Sequence, residues 1–75
     1  DERLDAFVAT FGLTERERDI LEGLVVSDQS VQDIATTLFL SRSTLYRHIS
    51  SINKKTGASS RVALINFFWS WTPQD

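Results

Sequence analysis

The chain has 75 residues, of which 41% are hydrophobic and 24% charged, with a formal net charge of -2. This length supports one small domain with a modest core and excludes a deep substrate cavity. The chain contains no cysteine and one histidine, which excludes a disulfide framework and a thiolate metal site, so we expect no metal and no cofactor.

Five helices are predicted, because apolar residues recur at intervals of three and four and no alternating strand pattern occurs. The first covers residues 2–11 and ends at Gly12, a residue that fits the left-handed position after a helix. It is either a packed helix or the end of an interdomain linker. Thr14 and Glu17 have the spacing of a capping box, which predicts a second helix over residues 15–26.

The next two helices have the order and spacing of a helix-turn-helix motif. Ser30 begins a short helix over residues 31–38, and Ser41 begins a longer one over residues 42–56 that ends at Gly57. A short helix, a tight corner and a second helix with a polar outer side are typical of proteins that bind DNA.

The last predicted helix covers residues 61–71 and is apolar on two sides, so it needs two partners. We expect one stripe to cover the core of the motif, and this stripe contains Val62, Ile65 and Trp69. The second stripe contains Leu64, Phe67, Phe68 and Trp71.

The charges are distributed unevenly along the chain. Nine of the ten acids precede Ile34, and the charged residues between 34 and 74 are all basic: Arg42, Arg47, Lys54, Lys55 and Arg61. Contacts to phosphate depend on a local basic surface more than on net charge. The negative total therefore does not argue against double-stranded DNA as a partner.

The helix over residues 42–56 has an outer stripe without acids. At about 100° per residue, this stripe contains Ser43, Arg47, Ser50 and Lys54, flanked by Tyr46 and Ser51. Short hydroxyl side chains allow close approach to base edges, and an arginine can donate two hydrogen bonds to guanine. Arg47 is therefore the first candidate for a base contact.

Other polar residues of this segment are candidates for phosphate contacts. Ser43 and Thr44 lie near the helix start, where free N–H groups favour an anion, and Lys54, Lys55 and Arg61 would reach flanking phosphates. The alternative is an ordinary solvated helix face. Tyr46 could stack on a sugar, contact a thymine methyl group or cover Leu45.

Three segments resemble the C-terminal effector domain of LuxR/GerE-type bacterial transcription regulators: LTERERDIL, QDIATTLFLSRSTLYRHISSINKKTG and SRVALI. The likeness covers residues 13–67. It implies an all-α, four-helix helix-turn-helix domain over residues 13–72, preceded by a short extra helix in a lead-in over residues 1–12 and followed by a tail over residues 73–75.

The resemblance also implies roles for individual residues. The recognition helix, which begins at the cap Ser41, would lie in the major groove with Thr44 at the DNA backbone and with Tyr46, Arg47 and Ser50 in base-reading positions. The second stripe of the last helix would pair with the same helix of another copy, placing two recognition helices about 34 Å apart on an inverted repeat. The alternative is that the first helix folds back over this stripe.

Two residues depart from the family pattern. The family commonly has lysine where this chain has Tyr46, so the usual contact to guanine is either lost or moved to Arg47. The corner often has glycine where this chain has Phe39, and a left-handed phenylalanine would cost about 1 kcal/mol or more. We therefore expect a different corner geometry with Phe39 buried.

The sequence predicts a DNA-binding domain without catalysis, since no nucleophile with a base and no glycine-rich phosphate loop is present. The alternative is a helical protein-interaction module, which the acidic first third and the aromatic residues would suit. The chain begins with Asp1 and lacks methionine, so we expect a part of a longer cytoplasmic protein with its sensor domain elsewhere.

Overall fold

The computed structural model describes residues 1–73 and contains, in that range, helices and no strand. The helices are α1 (Glu2–Phe11), α2 (Glu15–Val25), α3 (Val31–Leu38), α4 (Arg42–Thr56) and α5 (Arg61–Ser70). The all-α prediction is confirmed, and each helix ends within one residue of its predicted end. Residues 74 and 75 of the predicted tail lie outside the described residues.

Side-chain caps determine where the helices begin. The Thr14 hydroxyl accepts from the Glu17 N–H at 3.1 Å, and the Glu17 carboxylate accepts from the Thr14 N–H at 2.8 Å, which completes the predicted capping box. Ser30, Ser41 and Ser60 each accept a backbone N–H three residues later. Each cap of this kind stabilises a helix by about 0.5–2 kcal/mol. The helix starts are therefore encoded locally.

The core lies where α2 meets α3, α4 and α5. Its least exposed side chains on these helices are Ile20, Leu21, Ile34, Leu45, Ile52, Leu64 and Phe68. A Cβ atom on Gly23 would lie 2.9 Å from Cγ1 of Ile34, so a larger residue would force the Ile34 side chain to shift. Glycine at this position lets α2 and α3 cross closely, and this crossing helps to hold the helix-turn-helix together.

Helix α1 packs against α2 and α5. The Phe7 ring is fully buried, and its centroid lies between 4.6 and 5.8 Å from those of Phe11, Phe67, Phe68 and Trp71. Arg3 donates to the backbone carbonyl groups of Phe68 and Trp71, and Asp5 pairs with Arg18 of α2. α1 is therefore packed on the helices that follow it.

The four side chains predicted to contact a second copy are buried in the core or packed against α1. Leu64 and Phe68 have no exposed surface, and Phe67 and Trp71 pack against Phe7. While α1 is docked, these residues are not free to meet another chain. The structure therefore has the alternative arrangement, in which the first helix folds back.

The prediction that the other stripe of α5 covers the core is wrong for two residues. Val62 is 64% exposed and Trp69 is 52% exposed, whereas Ile65 is partly buried against the core. A helix that is apolar on two sides has no clear polar face to indicate which side points outward. Leu64 and Phe68 lie in the core, and Phe68 also packs on Phe7 of α1, which sets the rotation of α5.

The corner between α3 and α4 keeps the left-handed geometry. Phe39 has φ 58° and ψ 41°, and its side chain is 95% exposed, so the expectation of a buried Phe39 is wrong. The N–H of Leu40 donates to the Ala35 carbonyl at 2.9 Å, and the Leu40 side chain is partly buried. Backbone hydrogen bonds and Leu40 thus fix the corner, and the Phe39 side chain points to solvent.

We expect Phe39→Gly to raise the free energy of unfolding by about 0.5–1 kcal/mol. Relief of left-handed strain gives about 1–2 kcal/mol, and the greater freedom of glycine in the unfolded chain offsets about half of it. Chemical denaturation measures the change. Phe39→Ala is the control, because it keeps a Cβ at positive φ. A similar gain in the free energy of unfolding for Phe39→Ala would contradict backbone strain as the cause.

Candidate nucleic-acid interface

The outward face of α4 is polar and accessible. Its exposed side chains are Ser43, Tyr46, Arg47, Ser50 and Lys54, and α4 contains no acid. The opposite side is fixed in the core by Leu45, Ile49 and Ile52, each at most 5% exposed. Core packing therefore determines which residues the helix presents to a partner.

Three hydroxyl groups meet at the first turn of α4. The Ser41 Oγ accepts from the Thr44 N–H at 3.1 Å and donates to the Thr44 Oγ1 at 2.9 Å. The Ser43 Oγ lies 3.4 Å from the Ser41 Oγ. The first turn of a helix also has free N–H groups and a partial positive charge. This end of α4 is suited to a phosphate group.

Arg47 and Lys54 are available for contacts outside the chain. Within residues 1–73, no carboxylate oxygen lies within 4.0 Å of the Arg47 guanidinium or of the Lys54 ammonium. Both side chains are exposed on the outward face. Their charges can therefore pair with phosphate or, for Arg47, with guanine.

Lys55 and Ser51 face α2 instead. The Lys55 ammonium lies 2.7 Å from the Glu17 carboxylate, and the Ser51 hydroxyl donates to the same carboxylate at 2.6 Å. Lys55 is therefore already paired within the chain, and Ser51 does not flank the outer stripe. The geometric reason is that both lie on the side of α4 that packs on the start of α2.

Glu17 is a buried carboxylate that ties α4 to α2. Burial would raise its pKa, but the Lys55 ammonium, the Ser51 hydroxyl and the Thr14 N–H favour the charged form and lower the pKa from 4.5 to about 2. The sequence indicated only the capping role of Glu17. Its other partners are 34 and 38 residues away in the chain, and no local pattern connects them.

We expect Lys55→Met to lower the free energy of unfolding by about 1–3 kcal/mol, because the buried Glu17 carboxylate loses its counterion. Lys54→Met is the matched control, since Lys54 is exposed and unpaired within residues 1–73, and it should change stability by less than about 0.5 kcal/mol. Denaturant unfolding at neutral pH measures both.

Acid gives a second readout of the same pair. The Glu17 pKa is lower in the folded chain than its ordinary value of 4.5. The contribution of the ionised carboxylate to the free energy of unfolding is therefore complete above pH 4.5 and is lost as the pH falls toward 2. The stability difference between the natural chain and Lys55→Met should shrink over this range. A difference that stays constant would contradict the assigned pair.

Arg42, Tyr46 and Arg61 form a cluster between α4 and α5. Tyr46 and Arg61 line two adjacent grooves of about 530 and 360 Å³, and Arg42 lines the smaller one. The Arg42 guanidinium, and after it that of Arg61, lowers the pKa of the Tyr46 phenol. Sequence reasoning gave no role to Arg42, although its four-residue spacing from Tyr46 in a helix predicts a shared face.

The match to known proteins agrees with this geometry. Residues 12–68 match the family described as bacterial regulatory proteins, luxR family. The chain belongs to this family. It has the helix-turn-helix DNA-binding domain of the luxR family, which consists of transcription regulators and not of enzymes.

Two curated relatives are similar over the same region. The chain is 43% identical over 49 residues to the spore germination protein GerE of Bacillus subtilis (strain 168), covering 65% of each protein. It is 42% identical over 55 residues to the transcriptional regulatory protein MctR of Rhizobium johnstonii, covering 73% of this chain and 25% of MctR. The chain thus spans less than two thirds of either relative. No solved structure matches it significantly.

Within residues 1–73, every helix is too short or too polar to cross a membrane.

Proposed function

We propose that this luxR-family domain reads a specific sequence of double-stranded DNA by placing α4 in the major groove. The observation that carries the proposal is the exposed face of α4, where hydroxyl and basic side chains occur together without any acid. Arg47 and Ser50 would contact base edges, and the hydroxyl cluster of Ser41, Ser43 and Thr44 would hold a backbone phosphate.

Lys54 and Arg61 would extend the contact to flanking phosphates. Lys54 lies in the last turn of α4, and Arg61 is the first residue of α5, so the two lie in separate elements beside the same outward face. Contacts of this type fix the orientation of the protein on the duplex and carry no sequence information. Their loss would weaken binding to all sequences alike.

We further propose that two copies bind together on an inverted repeat, through the exposed side of α5. Val62 and Trp69 are the large apolar side chains exposed on this helix, and α5 has no charged residue after Arg61. An uncharged face with exposed apolar side chains can meet its own copy around a two-fold axis. We propose this side in place of the stripe of Leu64 and Phe68, because both of those side chains are buried in the core.

The signal that controls binding would be received elsewhere in a longer protein. The matched region is only 25% of MctR, which leaves room in such a regulator for a sensor domain. We place the domain in the cytoplasm, where bacterial DNA is found.

Selection from a pool of randomised duplexes tests this function. We expect enrichment of a sequence with two half-sites in inverted orientation, centred about 34 Å or one duplex turn apart. Enrichment of a single half-site would contradict the paired arrangement. Weak binding that depends only on salt, without any enriched sequence, would contradict sequence-specific reading and would favour a protein-interaction module.

A further inference from the structure

Two arginine side chains from different helices line one groove with the Tyr46 phenol at the edge of the α4 face. Arg42 lies in the first turn of α4, Tyr46 follows four residues later, and Arg61 begins α5. All three line the groove of about 360 Å³, together with parts of the loop before α3 and with Ile65. Three polar groups from two elements therefore share one small space.

The two guanidinium groups of this groove form no ion pair within the described chain. Within residues 1–73, neither Arg42 nor Arg61 has a carboxylate oxygen within 4.0 Å, although Asp28 lines the same groove. Like charges held close together repel each other unless an anion joins them. The lowered pKa of the Tyr46 phenol has the same two cations as its cause.

The position of the cluster indicates which anion it would bind. Tyr46 and Arg61 also line the neighbouring groove of about 530 Å³, which includes Ser50 of the outward face. A phosphate held by the cluster would thus lie directly beside the bases that α4 reads. Guanidinium groups suit this role because their planar N–H donors match pairs of phosphate oxygens.

We propose that Arg42 and Arg61 bind one and the same DNA phosphate, and that Tyr46 acts as the positioning residue that holds the two guanidinium groups together. This inference rests on the proposed function. It changes the role of Tyr46 from base reading to phosphate recognition, and it adds Arg42 to the interface. The contact would join the start of α5 to α4 and fix how deeply α4 enters the groove.

The salt dependence of binding tests whether the phosphate is shared. We would titrate the enriched duplex with the natural chain, Arg42→Gln, Arg61→Gln and the double variant at several salt concentrations. A shared phosphate predicts that the double variant loses about 0.9 from the slope of log K against log salt. Two separate phosphates predict a loss of about 1.8, and no contact predicts no loss. Either of these results would overturn the proposal.

Neutral phosphates locate the contact. We would replace one phosphate at a time in the duplex by methylphosphonate and repeat the titrations. At one position, both single variants should bind as tightly as the natural chain binds the same modified duplex. If the two substitutions lose their effect on affinity at two different positions, the phosphate is not shared.

Tyr46→Phe tests the positioning role, because it keeps the ring and removes the hydroxyl. We expect a loss of affinity of about 2-fold to 12-fold for the unmodified duplex and no loss for the duplex with the neutral phosphate. Equal losses on both duplexes would contradict a role toward the phosphate. Arg16→Gln is the control, since Arg16 faces Asp19 on the exposed side of α2 and should leave the slope unchanged.

Failure of this inference can be separated from failure of the proposed function. If the natural chain binds no duplex specifically, both are refuted. If it binds specifically and the double variant keeps the full slope, only the shared phosphate is refuted. Thermal unfolding of each variant shows whether the fold is retained, which is expected because Arg42, Tyr46 and Arg61 are exposed.

Discussion

Replacing Phe7 by alanine is expected to lower the free energy of unfolding by about 3–5 kcal/mol, the largest effect in this domain. The Phe7 ring has no exposed surface and packs edge-on against Phe67, Phe68 and Trp71 of the α5 end. Its removal leaves a cavity beside Phe68. Chemical denaturation followed by circular dichroism measures the loss.

A milder variant keeps this test decisive if Phe7→Ala does not fold. A small domain has a stability of only about 5–15 kcal/mol in total. Phe7→Leu should cost about 1–2 kcal/mol and still unfold in one transition. Ala9→Gly, at an exposed position of α1, is the control for helix propensity and should cost about 1 kcal/mol or less. If Phe7→Ala costs no more than this control, α1 is not part of the cooperative unit.

Replacing Arg47 by alanine is expected to weaken binding to the enriched duplex by about 5-fold to 150-fold, which corresponds to about 1–3 kcal/mol. Arg47 is exposed at the centre of the outward face and has no carboxylate within 4.0 Å in residues 1–73. Its loss should also relax the preference for guanine at one position of each half-site. Fluorescence titration against the enriched duplex and its single-base variants measures both effects.

Lys54→Ala is the matched comparison for Arg47→Ala. Lys54 lies on the same face, two helical turns further along α4, and is equally free of ion pairs within the described chain. As a phosphate contact, it should weaken binding to all sequences alike and lower the salt slope by about 1. If both variants reduce all affinities uniformly, Arg47 contacts phosphate and does not read a base.

Much of this fold could be predicted because its signals are local. Thr14 and Glu17, or Ser41 and Thr44, meet within one turn, so the sequence alone indicates where their helices begin. The outward face of α4 follows from the spacing of Leu45, Ile49 and Ile52. Each of these features depends on residues of one helix and its cap, and not on how the helices are placed relative to one another.

The features that could not be predicted depend on how separate helices are placed. Lys55 pairs with Glu17 across 38 residues, and from sequence it was indistinguishable from the neighbouring Lys54. The rotation of α5 could not be read from its pattern, because both of its sides are apolar. Phe39 was expected to avoid strain by burial, whereas the hydrogen bond from Leu40 holds the corner in the left-handed conformation.

The most direct test of the central claim, that α4 reads base edges, is a thermodynamic cycle. It combines one substitution in the protein with one modified base in the DNA. The natural chain and Arg47→Ala would each be titrated against the enriched duplex and against the same duplex with 7-deazaguanine at the preferred guanine, which removes the N7 acceptor. A base contact predicts that the two changes are coupled by about 1 kcal/mol or more. The modified base should then weaken binding by the natural chain but hardly change binding by Arg47→Ala. Losses that simply add would contradict the contact and, with it, the reading of DNA through Arg47.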